Sequence, residues 1–298
     1  MRCVLAATLA AFVLVPAPSL AGKIGRRGAD SHTDISVDPY PVRRHVHYSV
    51  TIRNTSATLV RAAAVRAIAP VDHPAAQKSI EITASMPFEM ATDAVGNQTL
   101  TFRVTLAPFA SKIIAVDAIV ALAEERRPER LKERKAYLAA DQFAEVDDPA
   151  IQAAAASIGS SGDAALAPQL VAWASDQVAD AGYVSERRGA LFALAEKRGD
   201  CTDAADLLVA VARARALPAR RVSGFVVDGD SVVRSADYHD WAEVYVQGAW
   251  RIADPNKRVF DSQSPRYVSM RIFSSSPNDI VGGRRATVSD PRLLVAVE

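Results

Sequence analysis

At 298 residues, 49% of them hydrophobic, the chain is long enough to bury one large core or two ordinary ones. Its formal net charge of +1 excludes the electrostatic footprint of a nucleic-acid binder or of a protein held on an anionic membrane surface.

Residues 1–21 read as a secretory leader. Arg2 supplies a short positive start, Cys3 to Val15 is apolar, and Ser19-Leu20-Ala21 is a small-x-small cleavage site, which puts the cut after Ala21. The apolar run is too short for a membrane anchor and is interrupted by Pro16 and Pro18; no other segment is long and apolar enough to span. The expectation is an exported protein, periplasmic or secreted, with no stable membrane insertion. Cys3 leaves with the leader, so Cys201 is the one cysteine kept and no internal disulfide forms. An unpaired thiol in an oxidising compartment points to a chemical role, with an inert buried thiol as the alternative.

Residues 22–40 are polar and irregular and read as a linker. Residues 41–122 alternate like strands: Val46, Tyr48, Val50, Ile52, and then Leu100, Phe102, Val104, Leu106 after the Gly96-Asn97 turn signal. Ile80 to Ile82 and Lys112 to Ile119 are further strands, with turn residues at Asn54-Thr55-Ser56, Asp72-His73-Pro74 and Pro108. This spacing predicts a small antiparallel sandwich. His45 and His47 share one face of a strand and could bind a metal, but no carboxylate or thiol partner is visible, and His45, His47 and His73 read as solvent-facing. Residues 123–139 carry mixed charge from Glu124 to Lys135 and read as a solvated helix or linker between domains.

Residues 140–298 form the second domain. Asp148 and Pro149 suit the cap and first position of a helix through Ile158. Leu166, Leu170, Trp173 and Val178 mark a second helix, and Ala190 to Ala195 a third, stopped by Gly199. A fourth begins at Cys201. Ala204, Leu207, Leu208, Val211 and Ala212 lie on one face, Asp200 is a good N-cap, Asp203 stands at the capping-box position, and Leu217-Pro218 ends the element. Cys201 therefore sits in a first helical turn, where free N–H groups and the helix dipole favour a thiolate. Past Pro218 the period becomes that of strands: Arg221 to Val227, then Tyr238 to Val246 and Ala249 to Asp254 around Gln247-Gly248, then Arg266 to Phe273 and Leu293 to Val297, with a loop from Ser274 to Arg285.

The hairpin carries a geometric expectation. With Gln247 and Gly248 as the two loop residues, Val246 faces Ala249 and Trp241 faces Asp254. His239 and Asp254 are then diagonal neighbours on one face, within hydrogen-bond reach. Gln-Gly is not an ideal two-residue turn, and a longer loop would shift this register. Taken singly, Cys201, His239 and Asp254 each have a bland reading as core thiol, rim histidine and turn former. Together they form a nucleophile, a base and an orienter.

Arg198-Gly199-Asp200-Cys201-Thr202-Asp203, Leu217-Pro218-Ala219-Arg220, Val222-Ser223-Gly224-Phe225, His239-Asp240-Trp241-Ala242-Glu243-Val244-Tyr245, Trp250 and Asp254-Pro255 resemble the bacterial transglutaminase-like superfamily over about residues 140–260. The departures are Ala204, where many members carry a histidine or an aromatic residue, and Ala216-Leu217-Pro218 in place of Gly-Ile-Pro.

The resemblance implies an α+β protein: an N-terminal antiparallel β-sandwich, then a papain-like core of helices packed on an antiparallel sheet. It implies Cys201 as nucleophile, His239 as base and Asp254 as orienter, acting on peptide or protein amides, with the Cys201 backbone N–H as oxyanion donor. Acyl transfer to an amine and hydrolysis by a cysteine peptidase or amidase on protein or cell-wall peptide both remain open, as does a binding module with a vestigial triad. No calcium-type loop of spaced acids appears, so no cofactor and no metal is expected. Substrate identity and oligomeric state are not legible.

Overall fold

Strand alternation builds the first half of the chain. In the computed structural model, residues 38–159, 162–184, 186–273 and 284–298 are described. The predicted leader, the linker as far as residue 37, and the predicted loop at 274–285 except its last two residues lie outside them. Six strands follow one another: β1 (Val42–Asn54), β2 (Val60–Ala69), β3 (Gln77–Ala84), β4 (Glu89–Thr92), β5 (Gln98–Leu106) and β6 (Ser111–Leu122). Val46, Tyr48, Val50 and Ile52 on β1 and Leu100, Phe102, Val104 and Leu106 on β5 are buried, as their alternation requires. β1 and β6 pair antiparallel from Val42–Leu122 to Arg53–Ser111, and β3 lies on the far side of β6. β2, β5 and β4 form the second sheet. The inner faces of both sheets meet in one core, which is the predicted sandwich.

The second half packs helices on a sheet. Its elements are α1 (Pro149–Ser157), α2 (Asp163–Gln177), β7 (Ala179–Asp180), α3 (Ala190–Glu196), β8 (Arg198–Gly199), α4 (Cys201–Ala214), β9 (Ala219–Val226), β10 (Ser231–Val232), β11 (Tyr238–Val246), β12 (Ala249–Asp254), β13 (Val259–Phe260) and β14 (Tyr267–Ile272), followed by β15 (Ala286–Val288) and β16 (Leu293–Val297). The sheet runs β13-β12-β11-β9-β14. α4 lies against β11 and β9, and α1, α2 and α3 pack around it. The Asp148 side chain accepts from the Ala150 N–H and caps α1 ahead of Pro149. α4 differs from a helix with one apolar face. Every residue from Asp203 to Arg213 is buried, so its polar positions also face protein and must be paired there.

Two sequence expectations need correction. The final strands, assigned by sequence to the second domain, complete the sandwich instead: β16 pairs with β1 from Val50–Val297 to Asn54–Leu293, and β15 with β2. Both edges would otherwise present unpaired N–H and C=O groups. Phe225, Val227, Val268 and Met270 from the second half also enter the sandwich core, and residues 38–298 form one compact unit. The charged stretch at 123–139 is not simply solvated. Arg126 is buried and pairs with Glu243 at 3.0 Å, Glu243 pairs again with Arg220 at 2.7 Å, and the Arg220 guanidinium lies 4.1 Å from the centroid of the Trp250 ring. The Tyr245 hydroxyl donates to the Glu129 carbonyl at 2.6 Å and the Glu129 N–H to the Gly248 carbonyl at 2.9 Å. The segment is thus strapped to the β11–β12 hairpin.

Burial alone would raise the Glu243 carboxyl, but Arg126 and Arg220, with His73, hold it down at about 2. A folded value below the unfolded 4.5 means stability that is present above pH 4.5 and is lost as pH falls toward 2, worth roughly 3 kcal/mol. Urea unfolding of Glu243→Gln between pH 7 and pH 3 is expected to show lower stability at pH 7 and a gap to the wild type that narrows on acidification. A gap independent of pH would contradict the pairing.

Candidate active site

α4 begins in a full capping box. Asp200 Oδ1 accepts from the Thr202 N–H at 2.9 Å and the Asp203 N–H at 3.2 Å, while Asp203 Oδ2 accepts from the Asp200 N–H at 3.2 Å. Arg188 is ion-paired to Asp203, and Asp200 Oδ2 also receives the Val184 N–H at 3.1 Å. A Cβ at position 199 would stand 2.6 Å from the Asp203 Cβ, so glycine is required for the chain to pass this close to the box. This fixes Cys201 as the first residue of the helix.

The hairpin has the two-residue turn. Gln247 and Gly248 have φ of 51° and 78°, a combination suited to the right-handed strand twist, and the register runs from Val246–Ala249 to Ala242–Ala253. Continued by one step it sets Trp241 opposite Asp254. His239 Nε2 and Asp254 Oδ2 are 2.7 Å apart, with Asp254 fully buried. The acid is itself held. Oδ2 accepts from the Tyr267 hydroxyl at 2.9 Å, and Oδ1 from the Lys257 N–H at 3.0 Å. Trp241 stacks beside the imidazole, with centroids 6.2 Å apart and planes 25° apart, and meets Tyr267 edge-on. With Nε2–H donated to Asp254, the Nδ1 lone pair is the free proton acceptor of the ring.

The start of α4 meets β11 at Asp240, the residue after His239. The Asp240 backbone N–H acts on the Cys201 thiol, favouring its ionised form. Its carboxylate accepts from Thr202 Oγ1 at 2.6 Å, from Arg221 Nη1 at 2.9 Å and from the Ser223 hydroxyl. The residue after Cys201 is therefore tied to the residue after His239. Burial would raise the Asp240 carboxyl, but Arg221 and the two hydroxyl donors hold it below the usual carboxylate range. Behind this, Arg187 grips buried Asp206 on α4 with two bonds of 2.7 and 2.6 Å.

The thiol departs from the sequence expectation. Burial first, and then the charges of Asp240, Asp200 and Asp254, push it up to about 12, against the pull of the Asp240 N–H. A helix start stabilises a neighbouring anion by about 1 kcal/mol, less than a factor of ten. The rise from 9.0 to about 12 is about a thousandfold. Burial and three carboxylates outweigh the helix start and favour the protonated thiol.

Asp240, Thr202, Ser223, Arg221 and Tyr267 had no assigned role in the sequence. Asp240 and Thr202 did stand beside the predicted residues, and a carboxylate following a candidate base was the available signal. Tyr267 comes from β14, two strands from β11, and had none. The histidines of the sandwich also need correction. His73 is buried and pairs with Glu129 at 3.1 Å, and His45 and His47 do have a carboxylate partner, Asp117 on β6.

Residues 152–255 match the family described as the transglutaminase-like superfamily. Among solved structures, a candidate cysteine protease from Cytophaga hutchinsonii is similar at a TM-score of 0.57 and 16% identity, over 86% of this chain and 90% of that one. The periplasmic domain of TgpA from Pseudomonas aeruginosa is similar at a TM-score of 0.43 and 14% identity, over 71% of this chain and 88% of that one. The likeness to the first is one of fold. No curated protein matches the chain.

Alkylation of Cys201 by iodoacetamide is expected to be at least tenfold slower at pH 7 than that of a free cysteine, rising only above about pH 8.5, the free-thiol value. Fast alkylation with a midpoint below that value would mean a resting thiolate and contradict the charge balance.

Proposed function

We propose, on the premise that the chain carries a transglutaminase-like superfamily domain over residues 152–255, that it is a thiol-dependent acyl-transfer enzyme acting on peptide or protein amides. The observation that carries the proposal is the buried His239–Asp254 hydrogen bond of 2.7 Å, with Thr202, the residue after Cys201, bonded at 2.6 Å to Asp240, the residue after His239. It provides a nucleophile, a base with its free nitrogen defined, and an orienter held in place by two further donors.

The reaction follows from a protonated resting thiol. His239 Nδ1 takes the Cys201 proton as Sγ attacks the amide carbonyl carbon, so thiolate and imidazolium arise together rather than in advance. The Cys201 backbone N–H, at the start of α4, is the donor for the developing oxyanion. The tetrahedral adduct collapses, the C–N bond breaks, and the imidazolium gives its proton to the leaving amine. A thioester on Cys201 remains. Water or a second amine then attacks it, His239 accepts the incoming proton, and the thiol is regenerated with release of an acid or a new amide. Asp254 holds the imidazole and stabilises its cationic form.

Export belongs to the same proposal and rests on the leader pattern at residues 1–21. Among the described residues no helix is long and apolar enough to cross a membrane.

Turnover of glutamine-containing peptides and peptide esters, with and without a primary amine, tests the reading. Cys201→Ala is expected to abolish turnover, and His239→Ala and Asp254→Asn to lower kcat by about 10²–10⁴. New amide marks a transferase and acid alone a hydrolase. Turnover that survives Cys201→Ala would overturn the mechanism, and a folded protein inert to every such substrate would favour a binding module.

A further inference from the structure

We propose that the exposed face of the N-terminal sandwich carries a site for a divalent cation of zinc type, formed by His45, His47 and Asp117. The proposal shares no residue with the candidate active site and does not depend on it.

Strand register makes the site. His45 and His47 are two apart on β1 and so project from the same face. β6 sets Asp117 directly opposite His47 and Ile119 opposite His45. β3, on the other side of β6, sets Thr83 opposite Asp117 and Glu81 opposite Ile119. The result is two short rows across three paired strands, His47–Asp117–Thr83 and His45–Ile119–Glu81. The second row, with Asp117 and Thr83, lines a shallow hollow.

The side chains are already gathered. The imidazole centroids are 4.0 Å apart with planes tilted 45°, His47 Nδ1 is paired with Asp117 Oδ1, and His45 Nε2 is 3.8 Å from the same oxygen. One donor atom from each of the three lies within 4.8 Å of the others. Donors on a tetrahedral zinc stand about 3.3 Å apart, so small side-chain rotations close the set with no backbone movement. Side-chain exposures of 37%, 40% and 39% leave the site open to an arriving ion while the backbone beneath is pinned by β6.

Ligand type selects the metal. Two neutral imidazoles and one carboxylate suit zinc and its transition-series neighbours, whereas magnesium and calcium take oxygen ligands. Three protein ligands leave the fourth position to water or to an incoming group, the arrangement of an open rather than a closed zinc site. Glu81, lining the hollow, is the acid nearest in the register to that position.

The test uses the tag-free full chain with Cys3→Ser and Cys201→Ser, which removes both thiols, titrated with zinc chloride by calorimetry and with cobalt(II) by visible absorption. One equivalent of zinc and tetrahedral cobalt bands are expected, with no uptake of magnesium or calcium. His45→Ala, His47→Ala and Asp117→Asn should each weaken zinc at least tenfold while thermal unfolding without metal stays close to that of the parent. His47→Gln, which keeps a polar side chain at that position, should weaken it as well. No zinc uptake by this thiol-free chain, or uptake unaffected by these substitutions, would overturn the proposal.

Discussion

The carboxylate of Asp240 is the point where the helix and the sheet of the second half are locked together. It holds Thr202 from α4 and Arg221 and Ser223 from β9. Each of these groups is buried or nearly so and was removed from water to get there. Leaving a charge unpaired in such a place costs about 3–5 kcal/mol, a large share of the 5–15 kcal/mol that ordinarily separates folded from unfolded chains. The helix start therefore has one stable seat on β11, with Cys201 facing the His239–Asp240 segment. The capping box acts along the helix and the Asp240 cluster across it, and between them the position of the sulfur is determined.

The same carboxylates define the chemistry. A cluster of Asp200, Asp240 and Asp254 is hostile to a second anion, so a resting thiolate is disfavoured despite the helix start. The Asp240 carboxyl is in turn held down in part by the charge of His239. In the proposed reaction, proton transfer from Cys201 to His239 would move positive charge toward these acids as the sulfur becomes nucleophilic.

Much of this was legible in local sequence. Alternation named the faces of β1 and β5, Asp200 and Asp203 named the capping box, and counting back from Gln247-Gly248 set the hairpin register that brings His239 to Asp254. What escaped depended on contacts distant in the chain. β2, rich in alanine, carries no strand signal of its own and is a strand because β5 pairs with it. β15 and β16 follow the second domain in sequence yet belong to the sandwich. Arg126 lies in a run that looks solvated, and its partner Glu243 is more than a hundred residues away. Asp117 was invisible as a partner of His47 because only the pairing of β1 with β6 makes them neighbours. The balance on the thiol escaped for a related reason: the helix start is local, whereas burial and two of the three opposing carboxylates come from the fold.

The most direct test of the account is intact-protein mass spectrometry after rapid quenching of the enzyme with an activated peptide ester, compared between wild type and Asp254→Asn. The account requires a mass increase equal to the acyl group, mapped by digestion to Cys201, that forms much more slowly when Asp254 no longer orients His239. An adduct on another residue, or formation at Cys201 at the same rate in both proteins, would contradict it.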